Sequence, residues 1–435
     1  MRCGDGSSAV GRWDNGVVTS RQIAPLRSPP HGDVELPGSK SITNRAILAA
    51  ALAEGTSRLT RTLVADDVEA MVDCARAIGA TVVLDGASAR VTGIAGRLAS
   101  SGRAFARQSG TTARFVAPVL ALTRGPWRLD GDPQLRGRPM DDLYVALRGL
   151  GASVEAEVPG QSLPALISGP LSGSETEVTG ATSSQFLSGL LLAAPLREQA
   201  TTIRVRGPLV SRPFVEMTVA VMEHFGAKVE VAGPEYRVQP GGYRAVELDI
   251  EPDASAASYF FAIAALAGGR IRVPGLGASS LQGDLGFVEV LAAMGAAVDH
   301  GATATTVEGI GGLRGVDVDC SAIPDTVPTL AVAAAFASGP TRIGGVGFIR
   351  RHESDRISAI VENLRRCGVG ADELDDGLVV RPAVPHGAEI ATFGDHRIAM
   401  AFSVLGLLVP GVVIDDEECV KKTFPGFFEV LDALT

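Results

Sequence analysis

The sequence predicts an α/β protein of two similar domains, each built from three repeated βαβαββ-like units around buried helices. Two observations carry this expectation. Six nearly all-apolar helical stretches recur at a constant interval. A second, amphipathic family of helices interleaves with them, each stopping at a glycine that leads into a Val-rich strand. The length of 435 residues agrees, because it exceeds what one hydrophobic core usually organises.

The first apolar stretch runs from Lys40 to Gly55 (KSITNRAILAAALAEG). The second begins near Gly110 (GTTARFVAPVLALTRG) and ends at Gly125, and the third runs from Ser183 (SSQFLSGLLLAAP) to Pro195. The fourth, fifth and sixth begin near Asp253, Asp325 and Asp395 and end at Gly268, Gly339 and Gly411. The stops at 55, 125, 195, 268, 339 and 411 are therefore 70, 70, 73, 71 and 72 residues apart. The amphipathic family is marked by Gly79, Gly151, Gly226, Gly295 and Gly368. A helix that is apolar all round must be enclosed by protein, so the amphipathic helices and the strands are expected to cover it. Three units then close one domain, and the midpoint seam falls near Gly241 and Gly242.

Composition limits the function. The net charge is −10, which disfavours broad electrostatic binding to nucleic acid or anionic lipid. Cys3, Cys74, Cys320, Cys367 and Cys419 are scattered and show no CxxC spacing, so reduced thiols in a cytosol are expected rather than a disulfide framework or zinc site. Residues 1–32 are rich in Gly, Ser, Arg and Pro and lack an apolar segment; they read as a disordered tail or as a stretch ahead of the true start codon, with no signal peptide expected. The stretch Ile398 to Ile414 is broken by Gly406, Pro410 and Gly411 and falls short of a membrane span.

The starts of the buried helices differ most between repeats. Free backbone N–H groups and the helix dipole favour anions there. Lys40, Ser41 and Arg45, Gly110 and Thr111, Ser183, Ser184 and Gln185, Asp325, and Arg397 all fall at such starts. If the two domains face each other with these ends inward, their cleft is a site for a small polyanion. LPGSKSITNR supplies fixed charge on Lys40 and Arg45, but Asp33 stands where a P-loop needs its first glycine. The loop GDPQLRGRP carries Arg136 and Arg138, and guanidinium groups suit bidentate phosphate binding. VSRPF offers Ser211 and Arg212, RRHESDR groups His352, Glu353 and Arg356, and KKTFP adds Lys422. The six histidines show no metal-ligand spacing.

Taken together, PGSKSITNRA, RGRP, SSQF, SRP, IPD, ESDR, GDHR and KTFP resemble the enolpyruvyl transferases, in the branch that acts on shikimate 3-phosphate. The resemblance covers nearly the whole chain after Gly32. It implies an inside-out α/β barrel arrangement with a domain of residues 37–241 and a second of 33–36 plus 242–435. It also implies transfer of the enolpyruvyl group of phosphoenolpyruvate to the 5-hydroxyl of shikimate 3-phosphate, by addition and elimination. Lys40 would touch both substrates. Ser41 and Arg45 would hold shikimate 3-phosphate, Ser183, Ser184 and Ser211 its phosphate, with Gln185 between the two ligands. Gly110, Arg138 and Lys422 would surround the phosphate of phosphoenolpyruvate, and Arg356 and Arg397 would clamp its carboxylate. His352 would belong to the substrate-binding set.

The chemistry requires a base for the attacking hydroxyl and an acid for the methylene carbon. Asp325 is the candidate base; Glu353 is the candidate acid, with Lys40 as the competing choice. No metal or organic cofactor is called for, and a monomer in the cytoplasm is expected. His352 stands where many relatives have Lys, Phe348 where many have Asn, and Gln108, Ser109 and Gly394 depart from the usual residues. Arg212 is the candidate to replace the lost charge at the phosphate. A related transferase of UDP-linked amino sugars carries a reactive Cys in the loop that here reads GDPQLRGRP, where Pro133 takes the equivalent place. The remaining alternatives are an enzyme that keeps the reaction but uses a modified cyclic acceptor, for which His352 and Phe348 leave room, and a binding protein without catalysis.

Overall fold

The computed structural model describes residues 19–434. The six apolar stretches form the helices Lys40–Leu52, Gly110–Leu120, Ser184–Ala193, Ala254–Ala267, Val327–Ala335 and His396–Leu408. All are enclosed, as their composition demands: Ala46 to Ala51 and Ala262 to Ala264 have no measurable exposure. Asp66–Ala77, Asp141–Gly149, Arg212–His224, Phe287–Met294 and Arg356–Arg366 form the amphipathic family. Each is followed by its marker glycine at positive φ, from +80° at Gly368 to +116° at Gly295, the backbone that ends a helix and that side chains resist.

Each unit adds a small sheet. In the second unit the strands Gly102–Phe105 and Trp127–Asp130 run parallel, and Trp127–Asp130 then pairs antiparallel with Ala165–Ser168. Ser153–Ala156 completes the sheet. This is a βαβαββ order. The third and fifth units repeat it, with four strands each. The first and fourth obtain their leading strand from elsewhere in the chain. Glu247–Asp249 pairs in parallel with Thr56–Thr60 in the first unit. His31–Asp33 pairs in parallel with Arg270–Pro274 in the fourth.

Two hydrophobic cores result. One gathers buried residues from Ile42 to Ile250. The other gathers Ile23, Val34 and Leu36 with residues from Ala254 to Leu431. The changeover thus falls between Ile250 and Ala254, later than Gly241–Gly242, because Glu247–Asp249 still belongs to the first unit's sheet. The start of the chain also differs from expectation. Residues 19–32 are an ordered strap: Arg21–Gln22 pairs with Val413–Ile414, and the Ile23 side chain lies where a Cβ on Gly406 would sit, 2.7 Å from its own Cβ. The part of the expected tail at residues 1–18 lies outside the described residues.

The two crossings run side by side. Ser39 N–H donates to Glu251 O at 2.8 Å, and Asp253 N–H to Pro37 O at 2.9 Å. The Asp253 carboxylate caps two helices from opposite domains, accepting from Ala256 N at 2.9 Å and from Lys40 N at 3.0 Å. Gly38 is held at this junction, where an added Cβ would lie 1.7 Å from the Arg61 carbonyl oxygen. Backbone cannot yield as a side-chain tip can, so Gly38→Ala is expected to cost about 3 kcal/mol, read as a lower unfolding temperature.

Candidate active site

Five of the six buried helices direct their N-termini into one cleft between the domains. Lys40 and Ser41, Gly110 and Thr111, and Ser183 to Gln185 come from the first domain; Asp325 and Arg397 come from the second. The caps explain why the chain turns where it does. Ser109 Oγ accepts from Thr112 N at 3.2 Å, Ser183 Oγ from Gln185 N at 3.3 Å, and Asp395 Oδ1 from Arg397 N at 3.0 Å. The remaining N–H groups of each first turn stay available to a ligand. Ser211 closes the same wall at φ +52°, a strained setting for a non-glycine residue. Its N–H donates across the domain boundary to Ser321 O at 3.0 Å.

The cleft reverses the sign of the whole chain. Lys40, Arg45, Arg114, Arg138, Arg356 and Arg397 line it against Asp67, Asp325 and Glu353. Arg45 is 1% exposed and is fixed by Thr218 Oγ1 at 2.7 Å, Ser41 O at 2.8 Å and Phe214 O at 2.9 Å. Arg114 donates to Gln185 Oε1 at 2.7 Å and Pro139 O at 3.0 Å. Among the described residues neither guanidinium pairs with a carboxylate. Burial pushes both down to about 9, and both remain cations at neutral pH. Buried, unneutralised cations of this kind are a receptor for anions.

The carboxylates are held by the other cations. Asp325 accepts from Arg397 Nη2 at 2.6 Å and Arg356 Nη1 at 2.9 Å. Burial raises its proton affinity, but Arg397, Arg356 and Lys40 outweigh that and hold it well below the usual carboxylate range. Glu353 accepts from Arg356 Nη2 at 2.7 Å, Lys422 Nζ at 3.3 Å and, across the domains, Arg138 Nη1 at 3.4 Å. Burial again opposes ionisation, and Lys422, Arg138 and Arg356 again overcome it, leaving Glu353 well below its ordinary value. Arg356 is 1% exposed and also donates from Nε to Asp395 at 2.8 Å. His352 Nδ1 faces Arg356 Nη1 at 3.1 Å, and burial and that guanidinium push the imidazole down to about 3. Its ring packs edge-on against Phe348 at 5.8 Å between centroids.

The residues expected at the site line this cleft except Arg136, Arg212 and Lys422; Lys422 stands behind Glu353 and reaches the cleft through it, and Arg136 is held by Asp130 at 3.0 Å. Gly110 belongs there for a steric reason, since a Cβ would come within 2.9 Å of the Arg138 guanidinium. Arg212 does not join: its Nε pairs with Glu216 at 2.9 Å one helical turn on, and its side chain is 65% exposed. Asp67 and Arg114 are wall residues outside the sequence expectation. Arg114 stands in its repeat much as Arg45 does in the preceding one, and that parallel was the available signal. Asp67 pairs with Lys40 Nζ at 3.4 Å, a contact between different helices that no local motif marks.

His396, at the start of its helix, is fully buried, and neither ring nitrogen has a hydrogen-bond partner among the described residues, Nδ1 standing 3.8 Å from Asp395 Oδ1. Burial and then Arg397 hold its proton affinity well below that of an ordinary histidine. A folded value below the unfolded one means that stability is present above the unfolded pKa of about 6.5 and is lost as pH falls beneath it. His396→Phe is expected to remove about 2 kcal/mol of the stability difference between pH 7 and pH 5, as measured by thermal unfolding at the two values.

Comparison with known proteins bears on what this cleft processes. A family model described as EPSP synthase (3-phosphoshikimate 1-carboxyvinyltransferase) matches residues 26–431. A 3-phosphoshikimate 1-carboxyvinyltransferase of Nostoc punctiforme is 42% identical over 413 residues, covering 94% of this chain and 97% of the relative. One from Serratia proteamaculans is 42% identical over 430 residues, covering 95% and 98%. A solved structure of EPSP synthase from Acinetobacter baumannii superposes with a TM-score of 0.81 at 27% identity, covering 95% of this chain and 98% of that one.

Proposed function

The chain belongs to the EPSP synthase (3-phosphoshikimate 1-carboxyvinyltransferase) family, and from that premise we propose how its own residues divide the work. The reaction transfers the enolpyruvyl group of phosphoenolpyruvate to the 5-hydroxyl of shikimate 3-phosphate and releases phosphate, on the way to aromatic amino acids. The observation that carries the division is the pairing of Asp325 with both Arg356 and Arg397. Two guanidinium groups side by side match a carboxylate, and the Asp325 carboxylate pairs with both.

Arg356 and Arg397 clamp the carboxylate of phosphoenolpyruvate, while Arg138, Lys422 and the backbone at Gly110 receive its phosphate. On the facing wall Ser183, Ser184 and Ser211 receive the phosphate of shikimate 3-phosphate. Ser41 and Arg45 hold its ring and carboxylate, and Gln185 lies between the ligands. Lys40 touches both. Arg45 supports this role because its bonds to Thr218, Ser41 and Phe214 use three of its five N–H groups and leave two for a ligand.

Binding then sets the acid and the base. When the incoming carboxylate shares Arg356 and Arg397, Asp325 loses part of the charge that suppresses its basicity and accepts the proton of the 5-hydroxyl. When the phosphate draws Arg138 and Lys422 away, Glu353 gains proton affinity, takes up a proton from solvent and delivers it to the methylene carbon. The hydroxyl oxygen attacks the adjacent carbon to give a tetrahedral intermediate. The phosphate then leaves with the proton held by Asp325, and the Glu353 carboxylate takes a proton back from the methyl group, which restores the double bond in the product and returns both carboxyl groups to their starting states. The cations around the phosphate stabilise the charge that grows on it as it leaves. Lys40 remains the second reading for the acid, favoured by its place in the cleft, where its Nζ pairs with Asp67 at 3.4 Å.

The enzyme is read as a cytoplasmic monomer. Cys74, Cys320, Cys367 and Cys419 are free thiols, and both walls of the cleft come from one chain. Among the described residues no helix is long and apolar enough to cross a membrane.

Phosphate release from phosphoenolpyruvate is expected to require shikimate 3-phosphate and to fail with unphosphorylated shikimate or a UDP-amino sugar. Asp325→Asn and Glu353→Gln should each lower kcat by about 10²–10⁴-fold while both substrates still bind by calorimetry. Undiminished turnover in Glu353→Gln would move the acid role to Lys40.

A further inference from the structure

Lys422 rides on the segment Glu418–Lys422, a five-residue 3₁₀ turn, a form with poorer hydrogen-bond geometry than the α-helix. Thr423 and Phe424 close it by donating their N–H groups to Val420 O at 3.0 and 2.8 Å. Its side chain is nevertheless held, 9% exposed, with Nζ 3.3 Å from Glu353. The brace comes from the opposite end of the chain. Arg21 lies in the strand Arg21–Gln22, paired with Val413–Ile414, and sets Nη1 3.0 Å from the carboxylate of Glu417, directly before the turn. Thr19 O accepts from Glu417 N at 3.0 Å on the same side. The other edge of the Arg21 guanidinium pairs with Asp432, and its plane lies 4.5 Å from the centre of the Phe428 ring. Both partners belong to the helix Phe427–Asp432, after the turn. One planar cation therefore clasps both flanks of the segment that carries Lys422. The later flank is also seated in the second core, where Phe424 and Phe427 pack on Phe260 at 6.4 and 6.2 Å between centroids. The earlier flank leans on the strap.

We propose that Arg21 is a positioning residue for the phosphate of phosphoenolpyruvate, acting through the turn that carries Lys422. Arg21 does not line the cavity and touches no ligand. By holding the two ends of the turn at once it fixes where the Lys422 stem starts, and so where Nζ stands relative to Glu353. An ammonium on a four-carbon stem is a mobile point charge, and its attraction for a phosphate depends on the place its backbone gives it. With the clasp gone, the earlier flank is released while the aromatic seat of the later one stays. The turn then samples more positions, and Lys422 meets the phosphate less often. Shikimate 3-phosphate, on the facing wall, is not affected. The inference rests on the assignment of Lys422 to the phosphate of phosphoenolpyruvate.

Phosphate-release kinetics of Arg21→Ala in the full chain test this. The KM for phosphoenolpyruvate should rise about three- to thirtyfold. The KM for shikimate 3-phosphate should move by less than about twofold. A half-exposed ion pair adds little to global stability, so the variant is expected to fold. Glu417→Ala removes the carboxylate on the earlier flank and should give the same selective rise; it decides the matter if Arg21→Ala does not fold. Arg21→Lys keeps the charge but reaches only one flank at a time, and should fall between wild type and Arg21→Ala. The route is read in a double-mutant cycle. Once Lys422→Ala has removed the ammonium, adding Arg21→Ala should leave the KM for phosphoenolpyruvate where it is. An unchanged KM for phosphoenolpyruvate in Arg21→Ala, equal rises for both substrates, or a full further rise in the Lys422→Ala background overturns the proposal. Failure of the Lys422 assignment would appear separately, as an unchanged KM for phosphoenolpyruvate in Lys422→Ala alone.

Discussion

Six helices with no polar face must be enclosed along their whole length, and this constraint organises everything else in the molecule. Side-on burial is supplied by amphipathic helices and small sheets, which leaves only the helix ends to meet water or a ligand. In the second, third, fifth and sixth units the buried helix joins a parallel strand pair, and the exchanged strands complete the same pairing in the first and fourth, so the N-termini share a direction. Opposing two such domains collects five of them in one cleft. The anion preference is therefore a property of the architecture, and the arginines and lysines amplify a field already set by backbone N–H groups.

The charged groups in the cleft form a closed circuit. Arg356 alone touches Asp325, Glu353 and Asp395. A buried cation left without such partners would be costly, and a buried pair is tolerated only when its remaining donors and acceptors are filled. Here the carboxylates fill them provisionally. The two anionic substrates bring enough charge to replace them, and in the proposed mechanism the displaced carboxylates serve as the acid and the base. Ground-state stability and catalytic readiness come from one set of contacts. The acidic excess elsewhere on the chain does not intrude, because those groups are screened at the surface.

Much of this was legible before any coordinates. The period of about 70 residues, the glycine stops and the polar helix starts are local patterns, and local patterns survive in sequence. Lys40, Arg45, Gly110, Ser183, Asp325 and Arg397 were found from their places at helix starts. Contacts made over long separations were less visible. Glu247–Asp249 is three residues long and mostly polar, so nothing in it announces that it completes a sheet begun at Thr56. The strap at residues 19–26 reads as a tail because its partners lie nearly four hundred residues away, at Val413 and Ile414. Arg212 misled for the opposite reason: its neighbour Glu216, a purely local partner, captures it on the solvent side.

The exchange of leading strands has a consequence for how the molecule is made. As the chain leaves the ribosome, His31–Asp33 emerges early and must wait for Arg270–Pro274 before it has a partner. The first unit in turn stays one strand short until Glu247–Asp249 has been synthesised. Neither half is complete on its own segment of chain, and the two exchanged strands find their partners within a few dozen residues of each other. The two domains are thereby sewn together in time as well as in space. Cutting the gene at its midpoint would give two fragments that each carry an open sheet edge, the kind of surface that recruits other strands.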